Sequence, residues 1–140
     1  IKETTNILQK AVIIFIAWDD FGGVIANFTK STNDFHASSR KLRMFFYSLH
    51  VIQPLIILIT FNTSLTFFVF IWLYPVLSAL LITEVIMDNY KNTFAGVFWL
   101  IGIFVSLYII NIPLVLLWFV ISFLTKLILG YSVNHFPKRN

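Results

Sequence analysis

Residues 44–83, MFFYSLHVIQPLIILITFNTSLTFFVFIWLYPVLSALLIT, decide the fold because none of them is charged. The stretch is about twice as long as the roughly 20 apolar residues that cross a bilayer once. Residues 62–64 (Asn-Thr-Ser) lie near its middle and favour a turn. The pattern therefore predicts a helical hairpin over residues 45–83, with one helix over 45–61 and the other over 65–83.

A second long apolar stretch, residues 94–130, raises the same question. As one helix it would be about 55 Å long at 1.5 Å per residue, against a hydrocarbon core of about 30 Å. Pro113 follows Asn111 and Ile112 at its centre, and proline disfavours helix at its own position and in the residue before it. Either a second hairpin or one long kinked helix fits. The hairpin is favoured because it returns the basic tail, residues 131–140, to the side of the basic segment described below.

Composition places the whole chain in the same class. Its 140 residues are 59% hydrophobic and 11% charged, whereas a soluble domain is about 45–50% apolar and about 25% charged. These values exclude a disordered chain, a coiled coil and an ordinary soluble enzyme. The lack of cysteine in the sequence excludes disulfides and a cysteine-based zinc site. We therefore predict an all-α integral membrane protein.

Residues 29–44 contain no apolar run long enough to enter lipid, and we predict a basic loop there. Its negative charge is Asp34, and its positive charges are Lys30, Arg40, Lys41 and Arg43. Short loops rich in Lys and Arg stay on the cytoplasmic side of a membrane, or on the matrix side in an organelle. The loop and the C-terminus are therefore predicted on that side of a bacterial or organellar inner membrane. Arg40, Lys41 and Arg43 are also candidates for contact with anionic lipid headgroups.

Residues 1–28 are predicted to form an amphipathic or spanning N-terminal helix, which Asp19 and Asp20 interrupt. Two central Asp residues cost about 5–7 kcal/mol on insertion scales, and the nine Val, Ile and Phe residues between Val12 and Phe28 return about 3–5 kcal/mol. Neighbouring helices would therefore have to hold this segment in the bilayer. The predicted architecture is a bundle of four to five short transmembrane helices, arranged as two hairpins plus this N-terminal helix.

Asp19 and Asp20 are the strongest candidates for chemistry. An ionisable residue within a membrane helix is costly to keep there and therefore indicates proton or ion binding. Asp20 shares a helix face with Gly23 and Asn27, which would make a polar stripe. The competing interpretation is that the Asp pair marks the exposed end of an interfacial helix, which turns at Gly22 and Gly23.

Other polar positions also interrupt the apolar stretches. His50 and Gln53 lie one helical turn apart before Pro54, whose missing N–H frees the carbonyl of His50 to accept from water or a partner group. Alternatively, His50 faces water at headgroup depth. Glu84 either joins this polar path or marks the edge of the membrane. Lys126 is expected to extend to the interface, where its ammonium group is hydrated.

The sequence carries no complete enzyme motif. It lacks the Gly-x-Ser-x-Gly, His-Glu-x-x-His and phosphate-loop patterns, and His36, His50 and His135 lack the spacing of a helical metal site. The basic charges are explained by topology and give no support for nucleic-acid binding. We therefore assign no catalytic residue, metal, cofactor or nucleic-acid partner.

Two functions fit these features. The first is a structural or accessory subunit of a larger membrane complex, in contact with lipid and with other membrane subunits or further copies of itself. The second is a proton- or cation-coupled transporter or channel subunit, in which Asp19 and Asp20 bind the ion and His50, Gln53 and Glu84 relay it. Because no complete catalytic set is present, the first is the leading hypothesis.

Overall fold

The structure is a computed structural model that describes residues 5–110 and 112–136, without the side chain of Ala37. Every regular element in those residues is helical. In chain order these are α1 (Ile7–Asn27), α2 (Lys30–Ser38), α3 (Arg40–Leu49), α4 (Ile52–Phe61), α5 (Leu65–Glu84), a 3-10 turn (Asp88–Tyr90), α6 (Lys91–Tyr108), a second 3-10 turn (Leu114–Leu116), α7 (Leu117–Leu124) and a π-helical segment (Thr125–Tyr131) that continues α7.

Four stretches of helix are long and apolar enough to cross a membrane: Arg40–Phe61, which joins α3 and α4, Leu65–Glu84, Asp88–Tyr108 and Leu114–Tyr131. α1 and α2 add a fifth if they are taken together as one span bent by 87°. The all-helical class and the four apolar helices predicted from the sequence are thus confirmed.

The first predicted hairpin turns at the expected residues. Asn62 follows α4 in the left-handed conformation, with φ 48° and ψ 45°, which Asn adopts more readily than most residues. The Ser64 side chain then accepts a hydrogen bond of 3.1 Å from the backbone N–H of Phe67 and caps α5. Local turn and capping chemistry therefore positions the two helices of this hairpin.

The second apolar stretch also forms two helices instead of one long kinked helix. α6 ends at Tyr108, and the next helical turn begins directly after Pro113. Asn111, part of the predicted turn, lies outside the described residues. Trp99 Nε1 of α6 donates to Thr125 Oγ1 over 3.0 Å, which joins α6 to the π-helical segment.

α1 is a continuous helix of 21 residues, so the interpretation that the chain turns at its two glycines is wrong. Gln9 near its start donates to the carbonyl of Thr60 over 3.2 Å. Asn27 at its end donates to the carbonyl of Lys126 over 3.1 Å. These contacts place α1 alongside α4 and the π-helical segment over most of its length.

Leu114–Tyr131 is the central helix of the bundle. Of its residues 61% are buried, against 17–33% in the corresponding stretches of the other three candidate spans. It packs against α1, α5 and α6 and contributes fully buried side chains that include Phe119, Val120, Phe123, Leu124, Leu127 and Ile128. The other helices keep many large apolar side chains on their outer surfaces.

Residues 29–44 are helical, whereas the sequence predicted a loop: they contain α2 and the first turns of α3. The prediction rested on the polarity of this segment, but a polar helix can be held by tertiary contacts. Asn33 Nδ2 of α2 donates to the carbonyl of Val133 over 3.0 Å. This bond fixes α2 against the end of the central helix.

The polar ends of several helices meet at one end of the bundle. Arg43 of α3 lies 3.1 Å from Glu84 at the end of α5, and Lys91 donates to the carbonyl of Thr83 over 3.2 Å. We call this region the basic end, and it consists of α2, the start of α3, residues 84–91 and residues 132–136.

Candidate functional site

Two carboxylates of α1 and the ammonium group of Lys126 meet inside the bundle. Lys126 Nζ lies 2.8 Å from Asp19 Oδ2 and 3.5 Å from Asp20 Oδ1. The side chain of Lys126 is 5% exposed and that of Asp20 is fully buried, whereas that of Asp19 is 55% exposed. We call these three residues the charged cluster.

The expectation that Lys126 extends to the interface is wrong. Two carboxylates on α1 provide its ammonium group with ionic partners in the interior, and such charge-assisted contacts replace hydration. Gly23 provides the necessary space, because a Cβ atom at that position would overlap the Lys126 side chain. The lysine is therefore part of the candidate site and not an interfacial anchor.

Neutral side chains flank the charged cluster. Ser122 Oγ donates to Asp20 Oδ2 over 3.0 Å, and Gln53 Nε2 donates to Asp19 Oδ2. Asp20 Oδ1 and Gln53 Oε1 are buried and accept no hydrogen bond from the described residues. Because buried acceptors without donors are costly, these two oxygens leave capacity for a further proton, cation or donor group.

α1 presents the cluster through the face that its sequence predicts. Asp20 and Asn27 are buried, and Gly23 lies against Lys126. A Cβ atom added to Gly130 would lie 3.0 Å from the Cβ of Asn27, so α1 and the π-helical segment approach closely at this level. The predicted polar stripe on α1 therefore faces the central helix.

An open groove of about 720 Å³ lies between α1, α2, α3 and α4 and reaches the charged cluster; we call it the cavity. Asp19, Gln53 and Lys126 form a polar area in its wall. Most of the remaining wall is apolar or aromatic, with contributions from Phe15, Trp18, Phe35, Phe46, Leu49, Ile52 and Ile56. Asp20 is connected to this space through Lys126, which contacts both carboxylates.

His50 lies at the break between α3 and α4 and is only 7% exposed, so it does not face bulk water. Its Nδ1 is 2.7 Å from the carbonyl oxygen of Phe46. It lines the same cavity as Gln53, but no hydrogen bond joins it to Asp19, Asp20 or Lys126 within the described part of the chain. The structure thus brings Asp19, Asp20 and Gln53 into contact and places His50 nearby.

Glu84 lies apart from the charged cluster, at the basic end. Its carboxylate oxygens are 3.1 Å from Arg43 Nη2 and 3.4 Å from Arg40 Nε. Arg40 and Lys41 are exposed on α3, where lipid headgroups could reach them, whereas the Arg43 side chain is largely buried. The predicted site residues therefore separate into an interior group and an end group.

A second pocket, of about 400 Å³, opens at the basic end and includes His36, Arg43 and Lys91 in its wall. The ring centroid of His36 lies 4.0 Å from that of Tyr131. This burial lowers the pKa of His36 from 6.5 to about 4. His36 is therefore neutral at pH 7.

Sequence reasoning missed the roles of Lys126 and Ser122. The two residues are four positions apart in the second apolar stretch and so share a helix face. A serine and a lysine on one face of an otherwise apolar helix indicate an interior polar site when a second helix carries acidic residues. The Asp pair of α1 supplies that complement.

Comparisons with known proteins identify no relative. No protein-family model, no curated protein and no solved structure matches this chain. Residues 5–110 and 112–136 also contain no group of three His, Asp or Glu side chains placed to hold a metal ion. What is established is therefore an all-helical protein with four apolar helices and a partly buried charged cluster beside a cavity.

Proposed function

We propose that this chain is an integral membrane protein in which α1 crosses the bilayer together with the four apolar helices. Large side chains such as Ile14, Ile59, Leu100 and Phe104 are exposed on three different helices, and lipid would solvate them. The 21 residues of α1 extend about 31 Å at 1.5 Å per residue, close to the thickness of the hydrocarbon core. The positive-inside rule assigns the basic end to the cytoplasmic or matrix side.

We further propose that the protein is a proton- or cation-coupled transporter or channel subunit whose ion binds at the charged cluster. One observation carries this proposal: two carboxylates face a single ammonium group in the interior. Fully ionised, the cluster has a net charge of −1, which is costly in a low-dielectric interior. One additional proton or monovalent cation neutralises it.

The surroundings of the cluster support this role. Asp20 Oδ1 is fully buried and accepts no hydrogen bond from the described residues, although Lys126 Nζ lies 3.5 Å away, so it can carry a proton. Asp19 and Lys126 line the cavity, from which an exchanging ion would reach the cluster. A charge pair that served only to join two helices would not need an excess carboxylate beside a cavity.

Flux through reconstituted vesicles tests the proposal. Vesicles containing the protein and an internal pH dye are given a potassium diffusion potential with valinomycin. We expect proton flux above that of empty vesicles, and we expect Asp19→Asn with Asp20→Asn to abolish it. Asp34→Asn, which removes an exposed carboxylate of α2, should leave the flux unchanged. Equal flux in the wild type and the double variant would contradict the proposal.

A structural or accessory subunit is the second candidate. α6 supports it, since only 17% of the apolar stretch Asp88–Tyr108 is buried within this chain, so partner helices have a large surface to cover. In this role the charged cluster would only hold α1 against the central helix through ionic contacts. Purification from native membranes in mild detergent should then yield a stoichiometric partner, whereas a stable monomer would argue against this role.

A further inference from the structure

We propose that the cavity between α1, α2, α3 and α4 binds an amphiphilic organic cation with one positive charge, in exchange for a proton held by the charged cluster. This inference rests on the proposed function and specifies its substrate class. It combines three observations: the volume of the cavity, the aromatic character of its wall and the carboxylate of Asp19 at that wall, which shares one ammonium group with Asp20.

The dimensions and wall of the cavity suit such a ligand. Pockets for small organic molecules have volumes of about 300–1,000 Å³, and this cavity has about 720 Å³. Trp18, Phe35 and Phe46 contribute aromatic side chains to it, and aromatic faces attract cations as well as apolar groups. The wall can therefore hold both the hydrophobic body and the charged group of one molecule.

The polar area of the cavity wall determines whether the ligand is a cation or an anion. Asp19 Oδ2 already accepts hydrogen bonds from Lys126 and Gln53. The Asp19 side chain is exposed enough for its other carboxylate oxygen to face the cavity. Gln53 Oε1 adds a buried acceptor that no described residue satisfies. The exposed carboxylate of Asp19 favours a cationic group and disfavours an anionic one.

The charge balance of the cluster makes binding an exchange. Before binding, Asp19 carries −1, Lys126 carries +1 and Asp20 holds a proton, so the cluster is neutral. When the organic cation pairs with Asp19, Lys126 pairs with Asp20, and the O–H bond of the Asp20 carboxyl breaks with release of one proton to water. The total charge is again zero. One proton therefore leaves for each monovalent cation that binds.

Binding of tetraphenylphosphonium tests the inference, with tetraphenylborate as an anion of the same shape. We expect the purified protein to bind the phosphonium in preference to the borate. It should release about one proton per phosphonium bound, because the cluster stays neutral only if the Asp20 carboxyl loses its proton. The proton count comes from repeating the calorimetric titration in buffers of different ionisation enthalpy. Equal binding of the two ions, or binding of the phosphonium without proton release, would overturn the inference.

A pair of glycine variants locates the binding site. Gly22 lines the cavity and Gly96 lies on α6, and a Cβ atom at either position meets no atom within 4 Å. Gly22→Leu should fill the cavity and weaken phosphonium binding by at least about tenfold, the effect of about 1.4 kcal/mol. Gly96→Leu should leave it unchanged. Unchanged affinity in Gly22→Leu would contradict the assignment of the cavity.

The two proposals can fail separately. If proton flux depends on Asp19 and Asp20 but the phosphonium does not bind, the substrate class is wrong and the proposed ion-coupled function stands. If the phosphonium binds with release of a proton yet proton flux is the same in the wild type and the double Asn variant, the proposed transport function is wrong, whereas the exchange of a proton for an organic cation at the cavity stands.

Discussion

Lys126 is the residue on which the charged cluster depends. Its ammonium group is the cation that contacts both Asp19 and Asp20, and only Asp19 of the two carboxylates is substantially exposed. Removing one partner of a buried ion pair is more harmful than replacing the whole pair, because it leaves an uncompensated charge. A second substitution that removes the remaining charge should therefore offset part of the loss caused by removing Lys126.

Lys126→Met is expected to destabilise the protein by about 1.5–3 kcal/mol, the range for a lost hydrogen bond to a charged group, because Asp19 is half-exposed and water screens part of the charge that remains. Adding Asp19→Asn should recover part of this loss, because Asp19 is the ionised carboxylate that the single variant leaves without its cation. Thermal unfolding in detergent measures both effects. A single variant as stable as the wild type would show that the cluster is solvated.

The matched control is Lys30→Met. Lys30 pairs with Asp34 on the exposed surface of α2, where ion pairs contribute less than about 1 kcal/mol. A loss in this control comparable to that of Lys126→Met would mean that methionine is harmful wherever it replaces a lysine.

At the scale of elements, α6 carries two glycines in different surroundings. A Cβ atom at Gly102 would lie 2.6 Å from Tyr74 Cε1 and 3.1 Å from Leu124 Cδ1, whereas one at Gly96 would meet nothing. Gly102→Val should therefore force α6 away from α5 and α7, at a cost of about 1–3 kcal/mol for overpacking. Gly96→Val is the control. Equal unfolding temperatures of the two variants would contradict the packing described here.

The packing of α2 against the rest of the bundle should lose stability at acidic pH. Burial lowers the pKa of His36 to about 4 from 6.5, so the undocked or unfolded chain binds a proton more readily. The stability that neutral His36 contributes is present above pH 6.5 and is lost as the pH falls towards 4. The unfolding temperature of the wild type should therefore fall more between pH 7 and pH 5 than that of His36→Gln. Equal falls would contradict the role of this histidine.

The hairpins could be predicted from the sequence, because their turns depend on local chemistry. Asn62 adopts the left-handed conformation itself, and Pro113 interrupts the second apolar stretch wherever the neighbouring helices lie. The helical conformation of α2 could not be predicted in this way. It depends on the contact of Asn33 with the carbonyl of Val133, 100 residues away.

The candidate site could be predicted only in part, for the same reason. Asp19 and Asp20 are conspicuous because they interrupt an apolar stretch, so their importance follows from the sequence alone. Their cation lies 107 residues from Asp19 along the chain, and no pattern in the sequence specifies that α1 packs against the π-helical segment. The position of Lys126 within an apolar stretch fits an interfacial anchor equally well.

At the scale of the whole molecule, the arrangement of ends predicts which positions share a side of the membrane. The sequence contains no cysteine, so single cysteines can be labelled with an impermeant maleimide. Lys41→Cys and Asn89→Cys at the basic end should react from one side, and Thr63→Cys in the first hairpin turn from the other. Thr5→Cys should react together with Thr63→Cys, because α1 crosses the bilayer. Labelling of Thr5→Cys from the side of Lys41→Cys would contradict a fifth crossing.

The central claim is that the charged cluster holds one exchangeable positive charge besides Lys126. Infrared spectroscopy in a buffer without alkali cations tests it most directly, because a protonated carboxyl group has its own C=O absorption. The account predicts one such band at mildly acidic pH, absent from Asp20→Asn and retained in Asp34→Asn. A wild-type spectrum in which Asp20→Asn removes no carboxylic-acid band would contradict the account.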